Sequence, residues 1–168
     1  MYELKKLSSD ALASALDKAV HYRVLNEPVE AESICRDVIA VDPNHQQALI
    51  TLLLALTDQF PRGIGGRARE AREIAARLDG DYERAYYAGI IAERQAKCQH
   101  HQRTPGCGHL AYDGLVKAME LYEEAEAVRA SGNDDAILRW NACARFIEAN
   151  ADIEPEPDTG QQSMPMLE

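Results

Sequence analysis

Cys98, His100, His101, Cys107 and His109 crowd into twelve residues, and among them are three of the five histidines and two of the four cysteines in the chain. Thiolate and imidazole are the usual ligands of zinc, and four of them close a tetrahedron. Cys98, His100, Cys107 and His109 are the candidate ligand set, and zinc is the candidate ion. Their spacing, C-x-H-H-x5-C-x-H, departs from the C-x2-C of common zinc sites. The same residues also read as a polar insertion between two helices that turns at Thr104-Pro105-Gly106, and this plain-loop reading is preferred. A Cys98–Cys107 disulfide is sterically conceivable, but a reducing compartment disfavours it.

Other chemistry-bearing residues are more scattered. Pro61-Arg62-Gly63-Ile64-Gly65-Gly66-Arg67 is glycine-rich, basic and opens a helix, a place where anions bind. No strand precedes it and no Gly-Lys-Ser/Thr follows, so it is not a nucleotide loop. It reads as a connector, with a docking patch for an acidic partner as the alternative, since Arg69, Arg72 and Arg77 extend its charge. Cys35 and Cys143 fall at apolar helix positions and read as buried small hydrophobes. His21 and His45 stand alone. No zinc-protease motif, nucleophile elbow or paired Cys–His nucleophile appears, so the expectation is that the chain is not an enzyme.

The elements that would position these residues repeat. Glu30-Ala31-x-x-Ile34-Cys35-x-x-Val38 is echoed by Glu70-Ala71-x-x-Ile74-Ala75-x-x-Leu78, and again at Ala118-x-x-Leu121-Tyr122-x-x-Ala125. A helical period inside a larger period marks a solenoid. In the best unit, Leu12, Ala15, Leu16, Ala19 and Tyr22 share one helical face. Asn26-Glu27-Pro28 turns, and Pro28 sits where a helix loses least from a missing N–H. A second face follows at Val29, Ala31, Ile34, Cys35, Val38 and Ile39, and Asp42-Pro43 reads as the start of a third helix. On small Ala19 and Ala31, aromatic Tyr22, apolar Cys35 and Val38, and closing Pro43, this unit resembles a tetratricopeptide repeat (TPR). Residues 46–81 resemble it moderately and 82–130 weakly, each with an insertion. The resemblance implies an all-α, right-handed α-α superhelix of about three helical hairpins plus a C-terminal capping helix.

Seven helices are predicted, at about 8–25, 28–41, 43–58, 66–79, 82–98, 110–130 and 133–149. The last carries the sole Trp. If it caps the repeats, Trp140 is buried with Ile137, Ala144 and Ile147 around it. Residues 1–150 form the repeat domain. The tail 151–168 has three prolines, five carboxylates and no Lys or Arg, so it reads as disordered, and its removal from Ile153 onward should cost little stability.

A chain of 168 residues suggests one domain. Its net charge of −10 argues against nucleic-acid binding, which rests on cationic contacts to phosphate, and against anionic membranes. The longest apolar stretch, Ala48 to Leu56, is too short to span a bilayer. With no secretory segment at the start, the cytoplasm is the expected location. The TPR resemblance implies a protein-interaction scaffold that binds a peptide or partner helix along a concave face built from helices 8–25, 43–58 and 82–98. Lys18, Arg23, Gln47, Tyr86 and Arg94 are its candidate lining. The alternative is a small metal-binding or thiol-sensing helical protein that uses the Cys98–His109 cluster.

Overall fold

The structure is a computed structural model and describes residues 2–157. Alanine, leucine and charged residues at helical spacing give seven α-helices, and among the described residues there is no strand. They are α1 (Leu12–Val24), α2 (Pro28–Val41), α3 (Gln46–Asp58), α4 (Gly65–Ala75), α5 (Asp81–His101), α6 (Cys107–Ala127) and α7 (Asp135–Ala149). Each helix packs on the next in sequence, and α1–α3 and α3–α5 also touch. Neighbouring helices run antiparallel. Gln59, at the end of α3, reaches Glu32 near the start of α2, and Gly89 near the start of α5 lies beside Tyr122 near the end of α6.

Chain punctuation follows local chemistry. Asn26 adopts φ +60° after α1, and Glu27 N–H donates back to the Tyr22 carbonyl at 2.9 Å, closing the helix end in the left-handed manner that Asn tolerates. Pro28 opens α2 as expected. Asp42-Pro43 does not open α3. Asp42 ends α2 and accepts from Asn44 N–H at 3.2 Å, while His45 Nδ1 caps α3 by accepting from Ala48 N–H at 3.3 Å. The imidazole supplies the acceptor three residues later than the aspartate would have.

Two apolar cores lie side by side. The first joins α1 to α4 around Ala19, Ala31, Cys35, Leu49, Leu53 and Leu56. The second joins α5 to α7 around Ala111, Leu115, Ala118, Tyr122 and Cys143. Leu54 and Tyr87 touch both. The α5–α6 contact is the most extensive, and α4–α5 the thinnest between consecutive helices. The close α5–α6 approach requires glycine: a Cβ on Gly89 would lie 2.6 Å from the Tyr122 ring.

Three expectations are corrected here. First, α5 runs on to His101 and α6 begins at Cys107, where ends near 98 and 110 were predicted, so Cys98, His100 and His101 end one helix and Cys107 and His109 begin the next, and only residues 102–106 form the connection. Second, Trp140 is half-buried, with its indole N–H donating to Glu123 at 2.9 Å. Ala136 and Cys143 are the wholly buried positions of α7, because small residues at the contact let the helix approach closely and leave the Trp at its edge. Third, the stretch from Ala151 is not free. Ile153 is only 4% exposed and its N–H donates to the Asn150 carbonyl at 2.9 Å. One buried isoleucine is enough to dock a segment whose average composition is polar. The rest of the predicted tail, 158–168, lies outside the described residues.

Candidate functional site

Two carboxylates tie the odd-numbered helices together. Asp58, at the end of α3, takes the Arg23 Nε–H of α1 at 2.8 Å and a guanidinium N–H of Arg94 from α5. Arg94 also donates to Thr57 Oγ1 at 2.7 Å. Side-chain exposures of 21% for Arg23, 24% for Asp58 and 26% for Arg94 place this group at a partly desolvated surface. A shared carboxylate there is worth more than a fully exposed pair.

The second carboxylate, Glu93 of α5, is 1% exposed. It accepts from Lys97 Nζ at 2.6 Å, from the Tyr122 hydroxyl at 2.6 Å and from Arg139 of α7 at 3.3 Å. A buried charge survives only with such partners. Its effect spreads outward. Burial, then the Glu93 carboxylate, pushes the Tyr122 phenol far above its usual range. The same two causes push the Cys143 thiol up to about 12. Burial pulls the Arg139 guanidinium down, yet Glu93 outweighs it and leaves the cation more firmly protonated. Among the described residues no buried side-chain nitrogen or oxygen lacks a partner.

Since Glu93 and Arg94 are adjacent in sequence, the two groups form one ladder from α1 through α3 and α5 to α7. Beside it runs an aromatic row. Tyr82 and Tyr86 stack at 5.5 Å between centroids, and Tyr87 meets Tyr86 edge-on at 5.2 Å. Next to the first carboxylate lies a cavity of about 270 Å³, lined by Thr57, Asp58, Phe60, Pro61, Arg94, Lys97, Cys98 and His101. Burial raises the Cys98 thiol, so it stays protonated at neutral pH and is a poor nucleophile.

Of the candidate groove residues, the structure brings Arg23 and Arg94 together on Asp58 and sets Tyr86 in the aromatic row. Lys18 and Gln47 are exposed on α1 and α3 and take no part in the ladder. The candidate metal ligands go to separate partners. His100 Nε2 lies 2.9 Å from Asp152 Oδ2, and His109 Nδ1–H donates to the Glu154 carbonyl at 2.8 Å. Cys107 is buried, and Cys98 lines the cavity beside Arg94. Among the described residues no three His, Cys, Asp or Glu side chains converge on one point as metal ligands would. His101 Nδ1–H donates to the Lys97 carbonyl at 2.6 Å.

Glu93, Asp58, Lys97 and Arg139 are absent from the residues that sequence reasoning singles out. One signal for Glu93 is present in the sequence. Gly89, Glu93, Ala96 and His100 fall at i, i+4, i+7 and i+11 on a single stripe of α5, and all four are buried. A carboxylate and an imidazole on an apolar stripe announce a polar network inside the fold. No helix of the described residues is long and apolar enough to cross a membrane. No family model matches the sequence, and neither a curated protein nor a solved structure shows significant similarity to it.

Proposed function

We propose that this chain is a TPR-like helical scaffold in the cytoplasm that binds an extended peptide or a partner helix along the side formed by its odd-numbered helices. The observation that carries this reading is the Arg23–Asp58–Arg94 bridge, which links α1, α3 and α5 into one face. Repeat proteins use such faces as extended binding surfaces. Half-buried Tyr82, Tyr86 and Tyr87, further along α5, supply rigid area with a polar tip, the kind of side chain enriched where proteins meet. The partly exposed Arg23, Asp58 and Arg94 are already paired, so a bound chain meets an ordered polar surface, which lowers the entropic cost of association.

Selection from a displayed peptide library against the immobilised chain tests the reading. Enriched peptides are expected to lose affinity about tenfold on Arg94→Gln, with helical content unchanged by circular dichroism. Failure to enrich any sequence would contradict the proposal. So would enriched peptides that ignore Arg94→Gln and respond instead to Arg77→Gln, which together with Arg36, Ile39, Glu73 and Ile74 lines a separate groove between α2 and α4.

A further inference from the structure

We propose that the trough where α4 and α6 flank α5 binds a small apolar carboxylate, the size of an eight-carbon fatty acid. A cavity of about 310 Å³ lies there, at the lower end of the range of about 300–1,000 Å³ seen for ligand sites. Ala88, Ala92, Gln95 and Gln99 follow at i, i+4, i+7 and i+11 and make one stripe of α5 along it. The stripe lies across the helix from Glu93 and Arg94, so the site is separate from the ladder. Short side chains give the trough its depth. A Cβ on Gly114 of α6 would stand 2.8 Å from the Ala96 Cβ, so the two helices close up there, yet neither Gly114 nor Ala92 reaches out to fill the space beside the contact. Nor does α4 fill it, since α4–α5 is the thinnest contact between consecutive helices. Ala88, Ala92 and Leu121 are left half-buried along the cavity, an apolar surface that a ligand can cover.

The lining selects both ends of the ligand. Arg72 on the α4 side and Lys117 on the α6 side are exposed at the rim, and among the described residues no carboxylate lines the cavity. In a chain of net charge −10 this sets it apart. Glu70 and Glu73 line the cavity between α2 and α4, Asp81 and Glu124 the one between the start of α5 and the end of α6, and Asp58 the one beside Arg94. Arg72 donates one N–H to the Gln95 side-chain oxygen at 3.1 Å and keeps further donors for a carboxylate. Lys117 pairs with Glu120 at 2.9 Å, but that pair lies on open surface, where it is worth little and a ligand carboxylate can replace it. The alanine-lined floor takes a hydrocarbon tail. The cavity has the volume of about ten water molecules, which matches the eight carbons and two oxygens of octanoate.

Backbone amide shifts of the ¹⁵N-labelled full chain, titrated with sodium octanoate to about 5 mM, test this. The shifts should saturate with a dissociation constant of about 0.1–1 mM and be largest at Ala88, Ala92, Gln99 and Gly114. 1-Octanol, which has the tail without the charge, should move the same residues with an affinity about tenfold weaker. Arg72→Gln combined with Lys117→Gln should weaken octanoate about tenfold, to the level of octanol, and leave octanol unchanged. Both side chains are exposed, so the fold should survive, and circular dichroism checks it. Octanoate shifts that do not saturate, shifts centred elsewhere, or octanol binding as tightly as octanoate would overturn the proposal. So would shifts of these residues with protein concentration alone, which would give the trough to a second copy. The residues read out lie across α5 from Arg94, so the result does not depend on whether the odd-helix face binds a peptide.

Discussion

Glu93 is the residue on which the second core turns. A carboxylate inside an apolar stripe is destabilising unless its partners are all in place. Here Lys97, Tyr122 and Arg139 meet it from three helices. Glu93→Ala would leave two cations and a phenol without their acceptor, and should cost about 3–5 kcal/mol in urea unfolding. Tyr122→Phe removes one donor from a carboxylate that keeps two cations, so it should cost only about 1–2 kcal/mol. Near-equal costs for the two would mean that packing, and not the network, holds α7. The thiols give a pH signature. Burial pushes Cys35 and Cys143 up to about 12, while an unfolded thiol releases its proton near about 8.5. Between those values the folded state holds protons that the unfolded state has lost. Stability should therefore fall as pH rises through this window, by about 1.4 kcal/mol per pH unit for each thiol. Replacing both cysteines by alanine should flatten that slope even if it lowers stability at pH 7. The burial of both thiols was legible from their place on apolar helix faces. Of the partners of Glu93, Lys97 stands four residues on in the same helix, but Tyr122 and Arg139 were not legible, because they lie 29 and 46 positions away and nothing local in the sequence names them.

At the scale of elements, the helix count and the turn at Asn26-Glu27-Pro28 were readable from spacing, since periodicity and proline act locally. The ends of α5 and α6 were not. The Cys/His run looks like a loop because histidine and cysteine are poor helix formers, and tertiary packing overrides that preference. The same misreading hid the docked segment after α7. Its hold rests on Ile153, on Asp152 beside His100, and on Glu154 beside His109. Above all it rests on Gly108, where an added Cβ would lie 1.9 Å from the Asp152 carbonyl oxygen. Gly108→Ala should displace the segment, and Ile153→Ala should cost about 2–4 kcal/mol through the cavity it leaves. Thermal melts of the two variants check this; an unchanged melting temperature in both would restore the free tail. The hydrogen bond from His100 holds the Asp152 carboxyl below its usual range. Its contribution is present above the unfolded value of about 3.9 and is lost as pH falls through the folded one. The protection of the Ile153 amide against hydrogen exchange, relative to the unfolded rate at the same pH, should accordingly fall below about pH 4. Trp140, half-buried at the edge of α7, should cost less on truncation to Ala than the ~3–5 kcal/mol of a wholly buried aromatic.

Across the whole molecule, neighbour-on-neighbour packing with antiparallel steps places α1, α3 and α5 along one side. The repeat of small residues foretold that order, since alanines at the contacts let adjacent helices approach. It could not foretell which side chains meet across odd-numbered helices, because a shift of one residue turns a helix face by about 100°. Arg23 and Arg94 were placed on the binding side from such phase counting, and the structure joins them through Asp58. Lys18 and Gln47, chosen the same way, stand apart from the ladder. The proposed scaffold role turns on where a bound chain lies. Backbone amide shifts of the ¹⁵N-labelled chain, followed while the tightest library-selected peptide is titrated in, locate it directly. The largest shifts should fall on α3 and α5, from Asp58 to Arg94 and along Tyr82 and Tyr86, and should extend to Arg23. Shifts confined to α2, α4 and α6, or scattered without a continuous path across α3 and α5, would contradict binding along the odd-helix face.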